Sequence, residues 1–487
     1  MTSTRFAPEY TDCVLNEIFE DAKSLFLAPL LSIHYAHLVM LAARGIVSGE
    51  DAHGIRVALD SIRIQQVQCV PYDGKCEDLY FYIERLIAAH CGDETAGRLH
   101  IARSRNDIDM TMYRMRQREF LLDLLETNLA LRRTLLDLAA AHRETIFAAH
   151  THTQRAQPTT IAHYMLGVAE QSERDTERLT AAYQRTNSNP LGSCAITGTG
   201  FNINRFLTSE LLGFSGPTVN TYGSIATVDY LLESVSATAV LLTGLGRFVQ
   251  DLLLWSTAEF GYMRLGDGFV QKSSIMPQKR NPVALEHARA VSSKALGQAV
   301  AILTTVHNTP FGDIVDTEDD LQPLVYSMFR DATRAVKLVA AAMRTAEFDA
   351  AALEARAADG WTTLTELADT LVRQRGISFN AAHRIASRMV SLRAASSEKP
   401  LSQLLGEASA EILGAAILHT DDEIASILSP RHFISVRRTL GGPAPEETSR
   451  ALDVARQQLA ADEQWRCEAG NALQRAEDLL RERRAAL

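Results

Sequence analysis

The chain alternates long stretches of helical hydrophobic periodicity with short polar segments marked by glycine or proline. From Asp109 to His150 there is neither Gly nor Pro, and Met115, Leu122, Leu125, Leu129 and Leu136 recur at three, four and seven residues. That is the spacing of one buried helical stripe, and at about 1.5 Å per residue it predicts a rod of roughly 60 Å. Further helical runs are expected over about 161–187, 227–260, 283–307 and 321–347, the last two opening near Pro282 and after the acidic stretch Thr317–Asp320. Five long helices predict a bundle. The run from Ser236 to Trp255 is apolar on nearly every side. It must be buried, either in the core of one large domain or, more simply, against another subunit.

Three polar segments, 100–108, 150–160 and 264–282, separate these runs, and segments of this kind on a rigid bundle are where reactive groups are usually mounted. Beyond Asp349 the periodicity shortens, then gives way to a loop at 437–447 and a long charged helix. We expect an all-α fold of three domains: 1–108, 109–349 as the central bundle, and 350–487. No internal repeat or low-complexity tract is evident.

With 487 residues the chain has ample length for a sizeable core and no need of disulfides or a structural metal. Its six cysteines are scattered without a CxxC pair or a histidine cluster of metal-ligand spacing, which points to reduced thiols, a cytoplasmic location and no metal or organic cofactor. The opening residues MTSTRFAPEYTDC lack a leader pattern, and no run has the roughly 18 apolar residues of a membrane span. A net charge of -10 gives no case for nucleic-acid binding. An acidic protein still binds an acidic substrate where a few cations and backbone amides converge.

The segment from Gly266 to Arg289 carries the most chemistry. Ser273, Ser274, Met276, Pro277, Lys279 and Asn281 crowd in front of a helix that begins near Pro282. Loop amides and a helix start suit an anion, Lys279 adds a positive charge, and Asn281 a directional donor. A second cluster is HTHTQRAQP from His150 to Pro158, and a third is ARSRNDIDM from Ala102 to Met110. Taken alone, the third also reads as a helix cap, and the paired histidines of the second as a metal site lacking a third ligand.

Taken together these segments resemble the argininosuccinate lyase branch of the fumarase/aspartase superfamily. SSIMPQKRNP is similar to that superfamily's GSSxMPxKxNP loop, with Lys272 in place of Gly; HTHTQRAQP resembles THLQRAQP, and ARSRND resembles GRSRND. NPLGSCAITGTG, GWTTLTELADTLV and LGGPAP extend the likeness over most of the chain. The resemblance implies a homotetramer with active sites shared by three subunits, and anti elimination of fumarate from a small N-succinyl substrate. It implies Ser273 as base, with Lys279 and Asn281 holding the carboxylate beside the abstracted proton, and Ser274 and Met276 in the same loop. Ser104, Arg105 and Asn106 would bind carboxylates, Arg105 through its planar fork. Thr151 and His152 would face the leaving side, with His152 a candidate acid or acid-positioner and Glu286 its orienting carboxylate, and Gln157 would bind the substrate.

Several positions depart from the pattern. Asp313, Glu318 and Leu321 stand where that family has Tyr, Gln and Lys; Leu30, His34 and Tyr80 stand where it has Asp, Ser and His. The departures fall on the leaving-group side, so the same chemistry on a different amine is expected. Lys272 and His34 could receive an extra carboxylate, and Asp313 and Glu318 a cationic amine, as in a diamine disuccinate. The alternatives are a genuine argininosuccinate lyase, or a non-catalytic relative of the kind recruited as lens crystallin.

Overall fold

The computed structural model describes residues 6–487; residues 1–5, where the leader reading starts, lie outside the described residues. Five helices form the centre: Arg105–Ala141, Ile161–Thr186, Asp229–Trp255, Val283–Val306 and Gln322–Met343. Each packs on the next and the last packs back on the first, closing a ring. Leu121, Leu125 and Leu135 of the first helix meet Met165, Leu179, Val249 and Val336 in a single interior. Burying each such side chain contributes about 1.5–3 kcal/mol relative to exposure, which is why the three- and four-residue spacing was a sound guide.

The first helix is shorter than its sequence suggests. It ends at Ala141, and Ile146–Thr151 is a strand paired antiparallel with Gln154–Thr160, Ile146 opposite Thr160 and Thr151 opposite Gln154. Thr145, Ile146 and Phe147 favour extended backbone, and Phe147 docks edge-on against Trp255 at 5.4 Å. The remaining 37 residues span about 55 Å.

The apolar helix Asp229–Trp255 packs between the 161–186 and 283–306 helices. By length and composition the stretch Thr221–Trp255 is apolar enough to cross a membrane, yet its inner face lies in the bundle core. Val240 and Leu254 on this helix, and Val300 and Leu303 on its neighbour, stay exposed on the outside.

An N-terminal core surrounds Leu27–Ala43, a helix buried on almost every side, with Leu79–Cys91 beside it capped by Asp78. A separate C-terminal core joins Leu364–Arg375, Phe379–Ala395 and Leu401–Leu413. The final helix, Pro445–Ala485, does not pack as part of that C-terminal unit, in contrast to its grouping by sequence. It lies along the 105–141 helix and reaches the N-terminal core through Leu480. Leu452 and Leu459 enter the bundle interior, and buried Arg132 pairs with Asp462 and, at 3.0 Å, with Glu173.

Candidate active site

The direction of the helices sorts the candidate residues into two groups. Ser104, Arg105 and Asn106 open the 105–141 helix, whereas Thr151 and His152 follow its far end, about 55 Å away. The 229–255 helix runs the same course. It starts with Tyr230 under Arg114, 3.9 Å from guanidinium to ring, and ends with Trp255 against Phe147. Ser273, Lys279 and Asn281 come after that far end and before the 283–306 helix turns back, and Glu286 lies in the first turn of that helix. Asp313 and Glu318 follow the return and stand with Arg105. Among the described residues no hydrogen bond, ion pair or ring contact joins the two groups.

At the near end the chain holds its cation inside acids. Ser104 donates to Asn106 Oδ1 at 2.6 Å, and Arg105 donates to Asp78 at 2.5 Å and Glu77 at 3.3 Å while lying 5.3 Å over the Phe81 ring. Four further acids face this point. Burial, then the Asp313 contact, then Asp319 push Glu318 up to about 8. Burial, then Asp319, Asp78 and Glu318 raise the Asp109 carboxyl well above its usual range, and Asp319, which accepts from Tyr113 at 3.2 Å, is raised chiefly by burial. So many carboxyls against one arginine leave a deficit of positive charge.

His34 is not a cationic receptor for a carboxylate. It is fully buried, its Nδ1 accepts from Arg103 at 2.8 Å, and burial together with the Arg103 charge holds the ring neutral. Tyr80 is buried beside it, ring centroids 6.0 Å apart, with its hydroxyl bonded to Glu84 and to His100 Nδ1 at 2.6 Å. Leu30 and Leu321 are core residues. The departures at 30, 34, 80 and 321 are therefore repacking of the wall, and only Asp313 and Glu318 add charge at this end.

At the far end two hairpins project. In the first, His152 and Thr153 occupy the tip with φ of 50° and 63°, in the left-handed region, which turns the His152 side chain into solvent. Gln157 donates to Thr365 at 3.2 Å, tying this hairpin to the C-terminal unit. In the second, Gln271 pairs with Asn281 and Lys272 with Arg280, and residues 273–279 form the turn. Ser273 Oγ accepts from the amides of Met276 at 3.0 Å and Ile275 at 3.3 Å. Lys279 donates its amide to Met276 O at 3.0 Å and accepts the Ser273 amide at 3.4 Å, so the turn wraps on itself. Two amides aimed at a hydroxyl oxygen favour its deprotonated form. Lys272, Ser274, Met276 and Lys279 are exposed, and Glu286 lies in the first turn of the 283–306 helix.

Asp78, Asp109, Tyr113 and Asp319 were not singled out from sequence. Asp109 and Asp319 lie more than 200 residues apart, and only the acidic run TEDD at 317–320 hinted at the cluster.

A closed five-helix bundle carries a cluster of candidate residues at each end. The Lyase family model matches residues 51–297 and the argininosuccinate lyase C-terminal model residues 361–435. Argininosuccinate lyase 2 of Agrobacterium fabrum is 38% identical over 461 residues, 94% of this chain and 91% of that protein. Argininosuccinate lyase 1 of Shouchella clausii is 37% identical over 94% of this chain and 93% of its own. Among solved structures, a variant of EDDS lyase with bound fumarate superimposes with a TM-score of 0.87 at 31% identity, covering 100% of this chain and 98% of that one. A class II fumarase from Schistosoma mansoni, at 16% identity, shares the fold, with a TM-score of 0.66 over 85% of this chain and 90% of that one. The chain belongs to the argininosuccinate lyase branch of the fumarase/aspartase superfamily, and it is a carbon–nitrogen lyase that releases fumarate.

Proposed function

We propose that the chain eliminates fumarate from an N-succinyl amine carrying further charge, a diamine disuccinate, rather than from argininosuccinate. The observation that carries the chemistry is the pair of amides on Ser273 Oγ. A Ser273 alkoxide removes the Cβ proton, forming O–H as C–H breaks. The electron pair moves into the neighbouring carboxylate, giving a doubly charged aci-carboxylate beside Lys279 and Asn281. Collapse re-forms that carboxylate, makes the C=C bond of fumarate and expels the amine, which takes up a proton on nitrogen. His152, oriented by Glu286, stands on that leaving side. Ser104, Arg105 and Asn106 grip the succinyl carboxylates.

The choice of amine follows from charge. Leu321 lies in the core where a lysine is expected, so the distal carboxylate of argininosuccinate would have no partner there, and an unpaired buried carboxylate is costly. Glu318, Asp313, Asp319 and Asp109 together favour an ammonium group, and exposed Lys272 takes the remote succinyl carboxylate. The identity to argininosuccinate lyases supports a second reading, ordinary argininosuccinate cleavage. Fumarate absorbance measured with argininosuccinate and with disuccinate diamines decides between them. Turnover of argininosuccinate at ordinary enzyme rates, of the order of 1–10³ per second, refutes the altered substrate.

Because the two groups of residues lie about 55 Å apart in one chain, a complete site requires the near end of one copy to meet the far end of others. We take the assembly to be a homotetramer built through the exposed apolar positions of the 229–255 and 283–306 helices, with three copies contributing to each site. Cross-linking of the native protein tests this, and a fully active monomer refutes it.

A further inference from the structure

Asp107 is a fully buried carboxylate with no cation in direct contact, and its acceptors are spent on backbone. Oδ1 accepts from the Ser104 amide at 2.8 Å; Oδ2 accepts from the amides of Gly192 at 2.7 Å and Cys194 at 3.1 Å. The segment 189–194 is held from its other side by Arg205. That guanidinium donates to the carbonyls of Leu191 at 2.9 Å, Asn189 at 3.1 Å and Pro190 at 3.3 Å, and to Thr218 O at 3.0 Å. An anion thus takes the segment's amides while a cation takes its carbonyls.

The clamp holds backbone in a region that residues with a Cβ rarely adopt. Ala102, Cys194 and Ala195 have φ of 59°, 46° and 59°, a region disfavoured for residues with a Cβ. Gly192 has φ of 90°, and a Cβ there would meet Ile203 at 2.8 Å and Arg205 at 2.9 Å. Among the described residues, Asp107 is the one side chain hydrogen-bonded to both the 102–104 and the 192–194 segments.

We propose that Asp107 is a positioning residue: by joining Ser104 to the 192–194 amides it fixes the turn that presents Ser104, Arg105 and Asn106 to a dicarboxylate. This rests on the reading of that turn as the carboxylate grip. Both carboxylate oxygens must accept, so an amide is a poor replacement, since its NH₂ would face a backbone N–H.

The test is Asp107→Asn in the assembled full chain, with fumarate binding followed by calorimetry and turnover followed by fumarate release. Asp175→Asn is the control, because Asp175 is also buried but lies in the bundle, paired with Arg178 at 2.7 Å. Asp107→Asn is expected to raise the fumarate Kd and the substrate KM about tenfold or more, with kcat changed by less than about threefold. Asp175→Asn is expected to lower the melting temperature and leave the fumarate Kd unchanged. Fumarate binding by Asp107→Asn within about twofold of the native protein overturns the proposal, as does a loss of kcat at unchanged KM. If Asp107→Asn does not fold, Arg205→Lys loosens the same segment from its carbonyl side. It must then raise the fumarate Kd, and an unchanged Kd overturns the proposal. Native protein that neither binds nor releases fumarate refutes the underlying reading of the grip, and that result is distinct from a failure confined to the variants.

Discussion

The two ends of the bundle are built to opposite rules. At the near end Ser104, Arg105 and Asp107 are tied to Asn106, Asp78 and loop amides, and the wall behind them is buried. At the far end the Ser273 turn is exposed, held by a two-rung ladder and its own backbone bonds. A grip that must recognise a fixed dicarboxylate gains from preorganisation. A base carried, as proposed, on a light exposed hairpin gains if that hairpin settles over the substrate and excludes water. On the proposed reading, recognition and reaction are placed on parts of different stiffness.

Several experiments break or sharpen this contrast. Ser273→Ala should lower turnover by roughly 10²–10⁴-fold, the range for losing a general base, with the melting curve unchanged; a mild loss would mean that the far end does not supply the base. Mixing Ser273→Ala with a second inactive chain, Arg105→Gln, under conditions that exchange subunits should recover part of the lost activity, since intact near and far ends then meet in some sites. No recovery would show that each site is completed within one copy. Arg105→Lys should raise KM by about 10–100-fold with a smaller effect on kcat, because an ammonium cannot make the paired bonds of a guanidinium.

Trypsin should cut at Lys272, Lys279 or Arg280 well before the bundle, and fumarate should slow the cut; equal cleavage with and without fumarate argues against closure. The smallest effect concerns acid. Glu318 has its folded value raised from 4.5 to about 8, so its favourable contribution is complete below about pH 4.5 and is lost as pH rises through 8. Thermal melting from pH 5 to 9 should show Glu318→Gln flattening that decline by roughly 1 kcal/mol after allowance for solvent screening.

Periodicity revealed the bundle because each long helix buries one stripe, and the three polar segments stood out because glycine, proline and capping residues punctuate them. The end of the first helix was hidden, since residues 142–145 contain neither Gly nor Pro and the stop comes from strand pairing and the Phe147 contact. His34 looked like a free cation because burial and the Arg103 contact are tertiary facts. The acid cluster around Arg105 was invisible for the same reason. Asp107 drew no notice as the last letter of a motif, although its three amide partners come from two segments some 85 residues apart.

The helix Pro445–Ala485 also sets a schedule for folding. Leu480 seals the N-terminal core, Arg484 lies 4.3 Å over the Tyr35 ring, and His53 bonds Leu487 O at 3.0 Å. A ribosome-bound chain therefore carries that core uncovered until translation has passed these positions, so the last residues made are the ones that close the first core to form.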